Sequence, residues 1–286
     1  MIQSQYEKEI IKTMKSFQRF GLYDVFADFV EWGTLSIRQA IELNRREEIE
    51  EKIRRFMQKY TPEEKERMGE MFGMLIMAMQ DYCQQGEYAD ILSRIFLELE
   101  IHSKDAGQFF TPDSVAKLTA KMTFDKDEAG EIIGRDGHIT LNEPAVGGGI
   151  MVLAFAEAMR AAGFDPTRQL VIYAGDIDMR CACMSYLHFS LYGFPAVMDY
   201  GNALALDHWQ RWYSPVYVFD LWRYRDKVAR AARQRRGERG VSSKEPANRR
   251  TRGADESRTG SPEEAERNIE PGTCHEIQQL ELFNMR

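Results

Sequence analysis

Cysteine is scarce in this 286-residue chain, and long apolar runs are missing from it. The cysteines at positions 83, 181, 183 and 274 are too few and too irregularly spaced for a disulfide framework or a zinc cluster. No stretch approaches the roughly 20 apolar residues that a membrane-spanning helix needs. The first residues also lack the basic region and the apolar segment of a secretion signal. We therefore expect a cytoplasmic protein with no membrane segment and no metal centre.

Basic residues are concentrated in one segment of an otherwise acidic chain. The net charge is -7, yet the stretch from Arg223 to Arg252 holds twelve Lys or Arg residues against three acidic ones. A local charge of about +9 on an acidic protein predicts a polyanionic partner such as DNA. A solubilising disordered tail explains the same composition equally well.

The first part of the chain, residues 1–104, is expected to be helical. It is rich in Glu, Lys, Arg, Met, Leu and Ile, and its apolar positions recur at helical spacing. Thr61, followed by Pro62 and two glutamates, is a typical helix start. Residues 87–90 precede another apolar-periodic stretch, which begins at Ile91. These patterns predict a helical N-terminal region.

The pattern changes in residues 105–236, where short β-branched runs alternate with helical segments. The runs predicted as strands are 139–141, 170–174, 196–198 and 216–219. A helix is expected from Met151 to Ala162, ended by Gly163. Strands that alternate with helices indicate an α/β domain with a parallel sheet.

A third region, residues 237–286, differs from both in composition. It consists largely of Gly, Ser, Glu, Arg, Thr, Pro and Asn, with almost no aliphatic residue before Ile277. Such a segment cannot bury enough apolar surface to offset the entropy that ordering would cost. We therefore expect a disordered tail, of which only the last ten residues regain hydrophobic character.

A glycine-rich loop joins the first predicted strand to the helix after it. The run Leu141–Gly149 ends in three glycines, which let a ligand approach the backbone and the helix N-terminus. A plain tight turn is the alternative. Asp176 and Asp178 follow the second strand, where an acid accepts hydrogen bonds from a ribose diol in nucleotide-binding folds. Capping of the next helix is the alternative role for both acids, and Asp178 suits it better.

Three runs in this order resemble the N6-adenine DNA methylase family, which comprises the methylation subunits of type I restriction-modification systems and their phage and plasmid relatives. The runs are Gly107-Gln-Phe-Phe-Thr-Pro112, Asn142-Glu-Pro-Ala-Val-Gly-Gly-Gly149 and Gly175-Asp-Ile-Asp178. The resemblance extends from about Tyr82 to Asn202. It implies an α/β, Rossmann-like methyltransferase fold that uses S-adenosylmethionine to methylate adenine N6 in DNA.

The resemblance also implies which residues bind S-adenosylmethionine. Thr111 helps to hold the methionine end of the cofactor, Asp176 binds the ribose, and the glycine loop cradles the methionine moiety. Asn202 stands where the family has an Asp that contacts the cofactor adenine, and it keeps an acceptor oxygen without the charge. The implied cofactor-binding residues are Phe109, Phe110, Thr111, Glu143, Pro144, Ala145, Gly147, Gly149, Asp176 and Asn202.

The run that would hold the target base is degenerate. The family grips the flipped adenine with an Asn/Asp-Pro-Pro-Tyr/Phe run after the fourth strand, and this chain has no such run. The nearest catalytic candidates are Ser214, Pro215 and Tyr217, which keep one proline and the aromatic ring. A plain loop that enters a buried strand is the alternative. Because few strands can follow residue 219, we also expect a truncated domain.

The last residues carry a second resemblance. Gln279-Leu280-Glu281-Leu282-Phe283 resembles the pentapeptide with which many bacterial replication and repair proteins bind the DNA sliding clamp. Leu280, Leu282 and Phe283 are expected to fill an apolar groove while Gln279 orients the peptide by hydrogen bonds. An amphipathic helix that packs on its own domain is the alternative, since apolar residues at 277, 280 and 283 also fit helical spacing.

Three functions are compatible with these features. The first is a site-specific DNA adenine-N6 methyltransferase of restriction-modification or mobile-element type, whose target is chosen by a specificity subunit. The second is a catalytically inactive derivative that binds DNA through the basic segment and acts as a regulator or decoy, with or without an anchor on the sliding clamp. The third is a small-molecule methyltransferase, against which the run at residues 107–112 argues.

Overall fold

In its described residues, the first part of the protein consists of five α-helices and their connections. The computed structural model describes residues 4–99, 110–225, 227–229 and 231. The helices are α1 (Gln5–Lys15), α2 (Leu22–Ile41), α3 (Arg46–Met57), α4 (Pro62–Gln84) and α5 (Ile91–Glu98), with a 3-10 turn at Leu43–Arg45. The predicted helical region is thereby confirmed over its described residues. Among the described residues, no helix has the length and hydropathy that a membrane crossing requires.

Side chains at the helix starts explain where two of these helices begin. At α4, Thr61 accepts a hydrogen bond from the backbone N–H of Glu64, and the Glu64 carboxylate accepts one from the N–H of Thr61. This reciprocal pair satisfies two backbone donors that a helix start leaves open. At α5, the Asp90 carboxylate accepts from the N–H of Ser93 at 3.0 Å.

The second part alternates helices and strands around one four-stranded sheet. In chain order it comprises α6 (Asp113–Thr123), α7 (Lys126–Asp136), β1 (Ile139–Glu143), α8 (Ile150–Ala161), α9 (Pro166–Gln169), β2 (Leu170–Asp176), α10 (Met179–Leu191), β3 (Ala196–Asn202), β4 (Asp207–Tyr213) and α11 (Pro215–Phe219). The strand order is β1-β2-β3-β4, with β1, β2 and β3 parallel and β4 antiparallel to β3. The prediction of an α/β fold with a largely parallel sheet is confirmed.

Because β1, β2 and β3 are parallel, all three strands begin on one side of the sheet and end on the opposite side. Strands β1, β2 and β3 end at Glu143, Asp176 and Asn202, and we call this side the carboxyl edge. The opposite side, where these strands begin, is the amino edge. Because α8 and α10 each connect two neighbouring parallel strands, both helices start at the carboxyl edge.

The predicted strand at 216–219 is wrong, because this segment belongs to helix α11. Ser214 caps the helix by accepting a hydrogen bond from the N–H of Tyr217, and Pro215 occupies the first helical position. The fourth strand is instead β4, which sequence analysis did not predict. Its charged residues lie on the exposed edge of the sheet, so it lacks the aliphatic pattern of a buried strand.

The N-terminal helices and the sheet share one hydrophobic core. Phe26 and Phe29 of α2, Met68 of α4, Phe189 of α10 and Ile172 of β2 all belong to it. Alternate residues of the strands face the other side of the sheet. There a smaller cluster joins Val171, Val197, Tyr217 and Trp222.

Candidate functional site

The carboxyl edge brings together the residues that the sequence predicts to bind a cofactor. Glu143, at the end of β1, is half-buried, and its Oε1 accepts a hydrogen bond from the N–H of Ala145 at 3.3 Å. Ala145 and its neighbour Pro144 are exposed. Asp176 ends β2, and it lies opposite Tyr200 in the pairing of β2 with β3.

The glycine loop runs from β1 to α8 as predicted. Its first anchor is on β2, where the N–H of Val146 donates to the carbonyl of Gly175 at 2.9 Å. Gly147 has φ of 56°, and Gly149, which caps α8, has φ of 97°. Both values lie in the left-handed region that favours glycine. The N–H of Gly149 donates to the carbonyl of Val146 at 2.9 Å and closes the turn.

Protein packing explains two of the three glycines. A Cβ atom at Gly148 would lie 1.8 Å from Ser93 Oγ, and one at Gly149 would lie 3.1 Å from the Phe189 ring. At Gly147 the nearest such neighbour is an atom of the Phe110 ring, at 4.0 Å. Among the described residues, Gly147 is therefore the position in this loop with open space beside it.

Asp176 connects β2 to the glycine loop. Its Oδ2 accepts from the N–H of Gly147 at 2.9 Å, and its Oδ1 accepts from the N–H of Asp178 at 2.8 Å. Burial raises the pKa of the Asp176 carboxyl, and the two backbone donors act in the opposite direction. Since each carboxylate oxygen has two lone pairs, the held carboxylate keeps acceptor capacity for a ligand.

Asp178 has the capping role that sequence analysis preferred for it. Its carboxylate accepts hydrogen bonds from the N–H groups of Arg180 and Cys181 at the start of α10. The same carboxylate forms an ion pair with the Arg180 guanidinium. Cys181 and Cys183, on the same helix, are buried, and burial raises the pKa of Cys183 to about 12. They are held as apolar thiols rather than as thiolates.

Phe110, which precedes α6, lies beside the glycine loop. Phe110 packs edge-on against Phe96 of α5, with 5.6 Å between ring centroids, and borders the space beside Gly147. Thr111 follows it and is exposed. Phe109 lies outside the described residues.

Asn202 lies at the end of β3, but its acceptor oxygen is already used. The Oδ1 atom accepts from the N–H groups of Leu204 and Ala205, at 3.0 and 3.1 Å. These bonds shape the turn between β3 and β4. Asn202 Oδ1, which was expected to contact the cofactor adenine in place of the family's Asp, therefore stabilises the β3–β4 turn.

Ser214, Pro215 and Tyr217 do not join the predicted cofactor residues. Because β4 is antiparallel, its end returns to the start of β3, roughly 20 Å from the carboxyl edge for a seven-residue strand. Ser214 is 0% exposed; its hydroxyl donates to the carbonyl of Phe194 at 2.7 Å and accepts from the N–H of Ala196 at 2.9 Å. The arrangement gives these residues a role in packing the amino edge, and it offers no support for a base-binding role.

Ile177 lies at the same edge and was not among the predicted site residues, although the sequence carries a signal for it. The signal is an apolar residue between two carboxylates, directly after a buried strand, at a point where the chain has already left the core. In the structure Ile177 is 58% exposed beside Asp176. It adds an apolar surface to the edge that Asp176 and Gly147 share.

Two polar side chains of α10 were missed as well. Ser185 Oγ lies 2.5 Å from the carbonyl oxygen of Gly147, and His188 Nδ1 lies 2.8 Å from that of Gly148. They stand three residues apart on a helix that is otherwise largely apolar, which is the only signal the sequence gives. Their partners lie about 40 positions away in the chain.

The residues at the carboxyl edge suit a ligand that has both a diol and a flat apolar part. Asp176 supplies a fixed acceptor, Gly147 supplies access to the backbone, and Ile177 supplies an apolar contact. Comparison with known proteins adds nothing further: no family model, no curated protein and no solved structure matches this chain.

Proposed function

We propose that this chain has a Rossmann-like methyltransferase fold and binds S-adenosylmethionine at the carboxyl edge of its sheet. The observation that carries the proposal is the bond between Asp176 and the N–H of Gly147. It joins the acid after the second strand to the loop after the first, which is the arrangement that nucleotide-binding α/β folds use for a ribose and its neighbouring groups.

Each nearby residue has a role in this proposal. Asp176 accepts hydrogen bonds from the ribose diol, and Ile177 contacts the adenine ring. Phe110 and Thr111 border the methionine end, beside the open position at Gly147. Glu143, Pro144, Ala145 and Gly149 form the rest of the loop. When bound, the cofactor supplies an electrophilic methyl group.

The proposed substrate class is DNA, with adenine N6 as the methyl acceptor, in a cytoplasmic restriction-modification or mobile-element setting. This part of the proposal rests on the family resemblance and on the basic segment that begins at Arg223. A specificity subunit would choose the target sequence. Most of the basic segment and the whole clamp-like run Gln279–Phe283 lie outside the described residues.

The placement of Ser214 favours a second candidate function, a catalytically inactive protein of the same fold that binds DNA as a regulator. The candidate base-binding residues lie at the amino edge, and the Ser214 hydroxyl is fully used within the protein. An adenine held at the carboxyl edge would therefore receive no contact from Ser214 or Tyr217. Loss of such positioned groups commonly costs about 10²-fold or more in rate.

Titration calorimetry with S-adenosylmethionine tests the cofactor site. We expect the wild-type protein to bind, and the Asp176→Asn variant to bind on the order of tenfold more weakly because a charged acceptor is lost. Asp199→Asn is the matched control, since Asp199 lies on the neighbouring strand but pairs with Arg211. A wild-type protein that gives no heat at millimolar cofactor would refute the proposal.

Transfer of a tritiated methyl group to mixed-sequence DNA separates the two candidate functions. Cofactor binding without transfer, both alone and with a specificity subunit, supports the inactive protein. If transfer does occur, we expect Tyr217→Leu, which removes the aromatic ring, to leave it unchanged, because this side chain packs against Tyr213 at the amino edge. A loss of transfer in Tyr217→Leu at unchanged stability would restore the base-binding role of that residue.

A further inference from the structure

Helix α10 presents three polar side chains in one line towards two other segments. Ser185, His188 and Tyr192 lie three and four residues apart, so they share a face of the helix. Ser185 and His188 contact the glycine loop, and His188 and Tyr192 contact residues 89–92 at the start of α5. All three side chains are hydrogen-bonded to backbone groups of those segments.

His188 is the member of this line that touches both segments. It is 0% exposed, and its Nε2 accepts from the N–H of Leu92 at 3.3 Å. An accepting Nε2 carries no proton, so the ring proton is on Nδ1 and is donated to the Gly148 carbonyl at 2.8 Å. Burial lowers the pKa of His188, which favours this neutral form.

The bond to Gly148 has consequences along the loop. In a trans peptide the carbonyl and the N–H point in opposite directions. With the Gly148 carbonyl directed at His188, the N–H of Gly149 is directed away from α10, and it donates to the carbonyl of Val146. This closed turn is the conformation in which the N–H of Gly147 meets the Asp176 carboxylate.

The first turn of α5, together with its cap residue Asp90, lies on the other side of the glycine loop. Asp90 Oδ2 and Ser93 Oγ lie so near Gly148 that a Cβ there would come within 2.6 and 1.8 Å of them. The Ser93 hydroxyl is buried and has no hydrogen-bond partner among the described residues. The loop is therefore in close contact with α5 on one side and bonded to α10 on the other.

We infer that His188 is a positioning residue for the cofactor site. Through the Gly148 carbonyl it holds the loop in the conformation that orients Gly147 and Asp176, although it touches no ligand itself. This inference rests on the proposed function for its effect on cofactor binding, but not for its effect on the loop.

Two substitutions separate the two bonds of His188. In His188→Asn the side-chain amide ends near the position of Nδ1, so it can still donate to the Gly148 carbonyl but no longer reaches Leu92. In His188→Gln the longer side chain places its carbonyl near Nε2, so it can accept from Leu92 but leaves Gly148 without a donor. Tyr192→Phe is the matched control, since it removes the two buried bonds to the backbone of Ala89 on the same face and does not touch the loop.

Calorimetry with S-adenosylmethionine, together with thermal unfolding, is the first measurement. We expect His188→Gln to weaken binding on the order of tenfold, while His188→Asn and Tyr192→Phe stay within about twofold of wild type. A purely structural role would lower the unfolding temperature and the affinity together in all three variants. Equal affinities for His188→Gln and His188→Asn would overturn the inference.

Hydrogen exchange of the unliganded protein keeps the inference testable if the wild type binds no cofactor. We expect peptides that cover residues 145–151 to exchange faster in His188→Gln than in His188→Asn or Tyr192→Phe. The same exchange in all variants would overturn the positioning role. Failure of wild-type binding alone would refute the proposed cofactor but not the role of His188 in the loop.

Discussion

Gly148 shows how little freedom the candidate site has at the level of single residues. Its neighbours are Asp90 and Ser93, which belong to the first turn of a helix and cannot move without disturbing it. The sequence predicts that all three glycines let a ligand approach the backbone. In the structure a Cβ at Gly147 would have space among the described residues, whereas Gly148 is packed against Asp90 and Ser93.

We expect Gly148→Ala to destabilise the protein by about 3 kcal/mol or more, because a methyl group there must displace the α5 turn. Gly134→Ala, in α7, is the control. No atom of the part of the chain that the structure describes lies within 4 Å of a Cβ at that position, so the change should stabilise by up to about 1 kcal/mol. Urea unfolding measures both, and a Gly148→Ala protein as stable as wild type would contradict the contact.

The buried His188 also predicts a pH dependence of stability. Burial lowers its pKa below the ordinary value of 6.5, and the Asp90 carboxylate, 3.8 Å away, only partly opposes this. The unfolded chain therefore takes up a proton more readily than the folded one. The contribution of His188 is complete above about pH 6.5 and is lost as the pH falls, by at most about 1.4 kcal/mol per pH unit.

Unfolding free energies at pH 7.5, 6.5 and 5.5 check this prediction. We expect wild type to lose more stability than His188→Asn over this range, and parallel losses would contradict it. Asp176 contributes with the opposite sign. Its raised pKa means that its contribution is present at low pH and is lost as the pH rises through its folded pKa, so the two residues can be told apart.

At the level of elements, the sequence predicted the helices and the buried strands because their signals are local. Thr61 with Pro62 marks the start of α4, and β-branched runs mark β1, β2 and β3. Strand β4 and helix α11 were not predictable in this way. An edge strand with charged residues has no buried pattern, and a five-residue helix depends on its cap more than on its β-branched side chains.

The cap of α4 gives a prediction at this scale. Thr61→Ala removes the acceptor for the N–H of Glu64 and should cost about 1 kcal/mol of stability. Thr61→Ser keeps the hydroxyl and should stay close to wild type. The pair is compared by chemical denaturation, and equal losses in both variants would show that the hydroxyl is not what stabilises the helix start.

At the level of the whole molecule, the site depends on contacts that no local pattern reveals. The family resemblance implied that Phe110, the glycine loop and Asp176 lie together, and in the structure they do. The antiparallel course of β4, which takes Ser214 to the opposite edge, was not predictable from order alone. Likewise the partners of His188, Leu92 and Gly148, lie on different elements.

The basic segment gives a prediction about DNA. If it binds the phosphate backbone, affinity for mixed-sequence DNA should fall steeply with salt. Changing Arg233, Arg235, Arg236 and Arg239 to Gln removes four positive charges and should reduce the slope of log affinity against log salt by roughly 3.6 if each contacts a phosphate. Fluorescence anisotropy measures this, and an unchanged slope would assign DNA binding to another surface.

The clamp-like run is tested separately. A peptide that covers His275 to Arg286 is expected to bind a purified bacterial sliding clamp with a dissociation constant below about 100 μM, through its three apolar side chains. A peptide with Leu282 and Phe283 changed to Ala is the control. Equal binding of both peptides, or no binding of either, would end the idea.

The reversed course of β4 has a practical consequence for labelling. The chain leaves the sheet at the amino edge, where Trp222 packs beside His138 just before β1 begins, with 5.4 Å between their rings. A fluorophore attached at the exposed Tyr224 therefore starts from the side away from Asp176 and Gly147. Such a label can report on DNA or clamp binding while the carboxyl edge of the sheet stays chemically untouched.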